Sequence, residues 1–249
     1  MIIIISPSKS INFKTPGTRG DATVPRFEQD AAQLMSLLSV FRADEIAEKE
    51  KVSIQMALAT YEYIQTFPMQ AAIRKEAVYA YSGNVYDKLN VEGLNEEALQ
   101  FLQGHVCIFS ALYGILRPLD RIKAYRLDMG TRLVPDLYTY WKEKVTQTLI
   151  DMLEENDYLL VNLASAEYFR MIDLKSLPRQ TRILTPVFQQ EKNGKLTTNS
   201  LFAKQARGLM LRFIAENKLT DPSCMQAFDA AGYFFNPLLS SPDEWYFTR

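Results

Sequence analysis

Four short apolar runs in this sequence each end in small polar residues: Ser6-Pro7-Ser8-Lys9, Ser82-Gly83-Asn84, Ser110 through Gly114, and Asn162-Leu163-Ala164-Ser165. In open α/β sheets, ligands sit in the crevice outside the carboxyl ends of the strands. Small hydroxyl and amide side chains there let a ligand approach closely, and Lys9 adds a positive charge. Ser6, Lys9, Asn162 and Ser165 are therefore candidate phosphate or sugar contacts. Ordinary capping of helices by Ser and Asn uses the same residues.

The densest chemistry lies in ALYGILRPLDRIKAYRLDMGTR, residues 111–132. It sets Arg117, Arg121, Lys123, Arg126 and Arg132 beside Tyr113 and Tyr125. Pro118 and Gly130 interrupt it, so much of the stretch is expected to be irregular. Guanidinium forks suit phosphate, and phenol rings can stack on bases or sugars. The alternative is a surface network in which Asp120, Asp128 and Asp136 pair with these arginines. A third cationic feature is the helix expected over 202–217, where Lys204 and Arg207 share a face at i, i+3.

Charge by region sharpens this. The net charge of −1 hides a segment, 170–218, with ten Lys/Arg against three Asp/Glu. A local basic field in a neutral chain fits a phosphate or polyanion, or else a solvated face neutralised by the acidic regions.

Other chemistries are poorly supplied. One histidine, His105, cannot build a multi-histidine metal centre, and its apolar flank marks it as a packed residue at a strand start. Cys107 and Cys224 make neither a disulfide framework nor a CxxC zinc pair. Neither a nucleophile elbow nor a Walker-type loop is present. With 249 residues, 47% hydrophobic and 23% charged, the chain is globular rather than disordered. The opening MIIIISPSKS has too few apolar residues for a signal-peptide core, and no run of ~18 apolar residues spans a membrane. A soluble, cytoplasmic protein is expected.

The elements that must position these residues alternate in type. Strands are expected at 2–5, 78–82, 105–114 and 158–165, and an exposed loop over 12–26. Helical spacing runs through 25–66. Leu34, Leu37, Leu38 and Phe41 form one apolar set there, and Ile54, Leu58, Tyr61 and Ile64 another. A helix starts near 92–99 with Asn95 as its cap, and another covers 137–154. Asn193-Gly194 marks a hairpin between strands at 183–189 and 196–202. Two short aromatic strands flank a Pro-rich turn in the tail. One α/β domain over 1–249, with a mixed sheet and surrounding helices, is the expected architecture.

Several stretches together resemble the bacterial YaaA family of peroxide stress response proteins. They include IISPSKS (4–10), YSGNVYDKL (81–89), ALYGILRPLDRIKAYRLDMGTRL (111–133) and LVNLASAEYF (160–169). PVFQQEKNGK (186–195), FAKQARGLMLRFIAENKLT (202–220) and GYFFN (232–236) complete the pattern over nearly the full length. The resemblance implies a cytoplasmic protein that limits peroxide damage and is associated with lowered free iron. It also implies a YaaA-type fold with a positively charged cleft, a helix–hairpin–helix-like element, and binding of DNA, distorted duplexes included. The helices at about 28–66 are the candidate for that element, with Leu38-Ser39-Val40-Phe41-Arg42 where a Gly-rich hairpin would stand. The cleft charge would come from Lys9, from Arg117, Arg121, Arg126 and Arg132, and from Lys204 and Arg207, with Ser6, Tyr125, Asn162 and Ser165 beside them.

Two functions follow. One is a stress protein that binds DNA through this cleft without cofactor or metal. The other is an enzyme on a nucleotide or nucleic acid, with a small phosphate-containing ligand in the same place and Asp128 as base.

Overall fold

The computed structural model describes residues 1–14 and 21–249. The loop expected over 12–26 lies partly outside them. Strand β1 (Ile2–Ile5) is four β-branched residues, all buried. Such a run is stiff at χ1 and suits the middle of a covered sheet. After β2 (Ser10–Ile11) come helices α1 (Glu28–Leu38), α2 (Ala43–Glu50) and α3 (Ile54–Thr66). Helix α1 buries Ala31, Leu34, Met35 and Leu38, the i, i+3, i+4, i+7 face. The Arg42 backbone N–H donates to Glu45 at the start of α2, and the Ser53 hydroxyl accepts from the Met56 N–H at the start of α3. Helix α3 departs from expectation. It buries Ala57, Thr60 and Ile64, while Ile54 and Leu58 face solvent. Small residues at 57 and 60 allow close helix packing, and that decides the buried face over side-chain size.

The segment expected as a strand at 78–82 is different too. Strand β3 (Arg74–Glu76) leads into a helical turn, α4 (Ala77–Ala80), and only Tyr81–Ser82 are extended, as β4. The Ala77 and Val78 N–H groups donate to the carbonyls of Asp120 and Pro118, which fixes the turn. A short apolar run cannot distinguish the two states by periodicity alone. Helix α5 (Asn84–Leu89) follows, then α6 (Glu96–His105), capped by the Asn95 side chain on the Ala98 N–H at 2.9 Å. His105 closes α6 instead of opening a strand, and its ring stacks on Phe101 at 4.1 Å.

Strands β5 (Val106–Ser110), β6 (Gly114–Leu116) and β7 (Arg121–Lys123) follow, then α7 (Leu137–Glu154), β8 (Leu159–Leu163) and α8 (Ala166–Phe169). The hairpin at Asn193-Gly194 is present. Both residues have positive φ, joining β9 (Arg182–Lys192) to β10 (Lys195–Thr197). The second arm is shorter than expected because Asn199 caps α9 (Ser200–Glu216). Strands β11 (Phe234–Phe235) and β12 (Glu244–Thr248) pair antiparallel in the tail.

The main sheet runs β11-β12-β9-β8-β1-β5-β6, with β10 on β9. The four interior pairings from β12 to β5 are parallel. The architecture is thus mixed α/β, as expected. From β1 the chain passes to β5 on one side, and from β8 it passes to β9 on the other. The crevice between the carboxyl ends of β1 and β8 is therefore a topological switch point.

Two contacts fix α9 beside that crevice. Gly208 lies so close to α5 that a Cβ there would stand 2.1 Å from the Val85 carbonyl oxygen. Arg212 donates to the carbonyls of Leu89 and Asn90 at the carboxyl end of α5, at 2.9 and 2.8 Å.

Candidate functional site

A cavity of about 300 Å³ opens at the switch point. Its base is the pair of loops that leave β1 and β8. The Ser6 hydroxyl donates to the Ser165 hydroxyl at 3.1 Å, and the Ser165 N–H donates to the Ser6 oxygen at 2.8 Å. The two strand ends are thereby tied together by the residues that follow them. On one side Gly83, at φ +105°, turns β4 into α5 in a conformation that side chains disfavour. Its N–H donates to Asp87, and a Cβ at Gly83 would press the Ser8 hydroxyl at 3.3 Å.

Phenols form the apolar part of the wall. Tyr86, Tyr125 and Tyr168 line the cavity and are all buried. Tyr86 donates to the Ser6 carbonyl at 2.9 Å. The Tyr125 hydroxyl lies 2.7 Å from both the Tyr81 hydroxyl and the Ser110 oxygen, and Ser110 in turn accepts from the N–H groups of Leu112 and Tyr113. Burial pushes the Tyr125 phenol up to about 12 and raises Tyr81, Tyr86 and Tyr168 as well. All four are neutral near pH 7, so this wall adds no negative charge. Tyr168 has no hydrogen-bond partner among the described residues.

Cations form the other part. Lys9, Arg126, Lys204 and Arg207 line the cavity, against the carboxylates of Asp128 and Glu167. Lys9 is paired with Asp128 at 2.7 Å. Arg126, Lys204 and Arg207 have no ion-pair partner among the described residues. The Arg207 Nε is fully buried and has no hydrogen-bond partner among the described residues, and burial lowers the basicity of its guanidinium. A partly desolvated cation without a counter-charge is unfavourable by itself.

The residues named from sequence thus divide. Ser6, Lys9, Tyr125, Arg126, Ser165, Lys204 and Arg207 meet around one cavity. Asn162 sits just below it on β8, where its side-chain oxygen caps the Ala164 N–H at 3.0 Å. Arg117 is outside, 3.7 Å from the buried carboxylate of Asp120, and Arg121 lies 3.4 Å from Glu76. Arg132 is exposed near α2, its N–H donating to Glu50 at 2.8 Å. Asp136 caps α7 and pairs with none of these arginines. The long Arg/Tyr block therefore serves two purposes. Arg126 joins the cavity, while the arginines at 117 and 121 neutralise buried carboxylates.

Tyr86 and Tyr168 were not singled out by sequence. Each is the third residue of a short helix that leaves a strand end, three positions after Gly83 and after Ser165. That repeated placement is the signal that could have found them.

The family model described as peroxide stress protein YaaA matches residues 1–239. The chain belongs to the YaaA family. Relatives of this YaaA chain bear the designation UPF0246 protein. One from Neisseria gonorrhoeae is 40% identical over 256 residues, covering 100% of this chain and 98% of the relative. Another from Albidiferax ferrireducens is 41% identical over 258 residues, with 100% and 98% covered. A third from Ralstonia pickettii is 41% identical over 256 residues, with 100% and 99% covered. Among the described residues, no helix is long and apolar enough to cross a membrane.

Proposed function

We propose that this YaaA-family protein serves the peroxide stress response by binding DNA at the basic cavity, so limiting iron-dependent oxidative damage to it. The observation that carries this reading is the set of three cations, Arg126, Lys204 and Arg207, that converge at the switch point without ion-pair partners among the described residues. Phosphate oxygens supply the missing counter-charge, and each contact releases counterions from the DNA. The reading does not rely on thiol chemistry at Cys107. That thiol is buried, pushed up to about 12, and lies 3.5 Å from the Met152 sulfur, so it stays protonated and shielded.

An enzyme acting on a nucleotide is the second reading. The Lys9–Asp128 pair at the rim favours it, because a lysine drawn to phosphate would leave Asp128 free to accept a proton. Product formation from nucleotides or nicked DNA by the purified protein would move this reading to first place.

The test of the first reading is binding to matched duplex, bulged duplex and single-stranded DNA across a salt series, for the parent and for Arg126→Ala. The parent should bind with a steep salt dependence, and Arg126→Ala should weaken binding and reduce the log–log slope by about one. Equal affinity and slope for the two proteins would remove the cavity from DNA binding.

A further inference from the structure

We infer that the switch-point cavity is a site for a single nucleoside phosphate, with the phosphate held by Arg207 and Lys204 and the nucleoside against Tyr86 and Tyr168. The inference rests on the phosphate-binding reading of the same cavity and adds what else the ligand must carry.

Size gives the first argument. About 300 Å³ stands at the lower end of small-ligand pockets and is far too small for a duplex. A polyanion lying across a flat basic face needs no such enclosure. Whatever enters is one unit, either a free nucleotide or a nucleotide swung out of a helix.

The division of the wall gives the second. The lining combines cations from α9 and Arg126 with the neutral phenols Tyr86, Tyr125 and Tyr168, beside the carboxylates of Glu167 and of Asp128, the latter paired with Lys9. Inorganic phosphate would use the cations and leave the phenols without a partner. A ligand with an anionic end and a planar ring uses both, the ring against aromatic edges or faces. Among the described residues Tyr168 also keeps a phenolic hydrogen unspent, and the Ser6–Ser165 pair leaves the Ser165 hydroxyl hydrogen available. Those donors suit ring nitrogens, carbonyls or sugar hydroxyls.

Rigidity gives the third. Gly208 seats α9 against Val85, and Arg207 is the adjacent residue. The backbone that carries Arg207 is therefore positioned before any ligand arrives, so little main-chain ordering is needed on binding. Lys204, one turn earlier, is exposed and can close over the phosphate from the rim.

The experiment is calorimetric titration of the full chain with adenosine monophosphate, adenosine and inorganic phosphate at constant ionic strength. Adenosine monophosphate should bind at least about tenfold more tightly than either of its parts. Lys204→Ala, an exposed site that leaves the core intact, should weaken the monophosphate about tenfold or less and leave adenosine unchanged. Phenylalanine at position 168 (Tyr168→Phe) should weaken monophosphate and adenosine alike while phosphate is unaffected. Equal binding of phosphate and the monophosphate would overturn the inference and leave an anion site only. Absence of monophosphate binding at millimolar concentration would also overturn it, even if DNA still bound. Binding of the monophosphate without DNA binding would leave it standing and remove the DNA reading. Competition separates the two sources. Displacement by a duplex with one bulged nucleotide, and not by matched duplex, identifies an extruded nucleotide, for which unpairing is least costly. No displacement by either identifies a free nucleotide.

Discussion

Replacing Arg207 by methionine should leave the protein as stable as the parent, or more stable, while DNA affinity falls about 30–150-fold, equivalent to about 2–3 kcal/mol. The two halves of that expectation have one cause. The Arg207 Nε is buried without a hydrogen-bond partner, and the guanidinium has no ion-pair partner among the described residues. A half-buried charge whose Nε is shut off from solvent in that state costs folding free energy, and a hydrophobic residue of similar length removes the cost. Methionine keeps the unbranched stem and packs where the aliphatic part of arginine packs. With a phosphate in place the balance inverts, because the desolvated cation then gains a charge-assisted bond that methionine cannot make. Denaturant unfolding, with and without DNA, measures both halves. A methionine variant destabilised by more than about 1 kcal/mol with unchanged affinity would show that Arg207 is a structural residue.

The largest effect on folding is expected for Gly208→Ala. A single methyl group at that position would stand 2.1 Å from the Val85 carbonyl oxygen and 2.9 Å from the Lys88 Cβ. Both atoms belong to α5, one a backbone carbonyl and the other a Cβ, so neither neighbour can yield by a rotamer change. Helix α9 must move away from α5, which also strains the Arg212 bonds to the carboxyl end of α5. Overpacking of this kind costs about 3 kcal/mol, the upper part of the usual range. For a chain of this length that lowers the unfolding midpoint by about 6–12 °C. Binding should fail with it, because Lys204 and Arg207 travel with α9. Gly104→Ala is the control. Among the described residues nothing lies within 4 Å of its added methyl, and it sits within α6. That change should raise stability by about 0.4–1 kcal/mol through the unfolded chain. Calorimetric scans of the two alanine variants beside the parent check both signs.

Much of the fold was legible locally. Ile2–Ile5, the apolar runs of β5 and β8, the Asn95 cap and the Asn193-Gly194 turn each carry their information within a few residues, and each formed. Where pairing across the chain decides, local reading stopped. Residues 77–80 curl into a turn because carbonyls about 40 residues away accept their N–H groups. Helix α3 turns Ile54 and Leu58 outward because Ala57 and Thr60 permit a closer approach. The site divides in the same way. Ser6 and Ser165 were visible as strand-end residues, and tertiary structure put them in contact across 159 positions. Arg117 and Arg121 carry the same residue type as Arg126, yet they face Asp120 and Glu76. Only the path of the 117–132 segment, through β7 and the loops around it, separates them. Tyr86 and Tyr168 were unremarkable as sequence, because a tyrosine beside a helix start has no chemistry until two of them meet at one cavity.

The claim that DNA meets the protein at the β1–β8 switch point is tested most directly by amide hydrogen exchange with and without a bulged duplex. The account predicts slower exchange at 6–10, 83–86, 125–128 and 165–168, with the helices at 28–66 unchanged. Protection confined to 28–66, with the cavity loops exchanging as in the free protein, would contradict it and place DNA on the helical element instead.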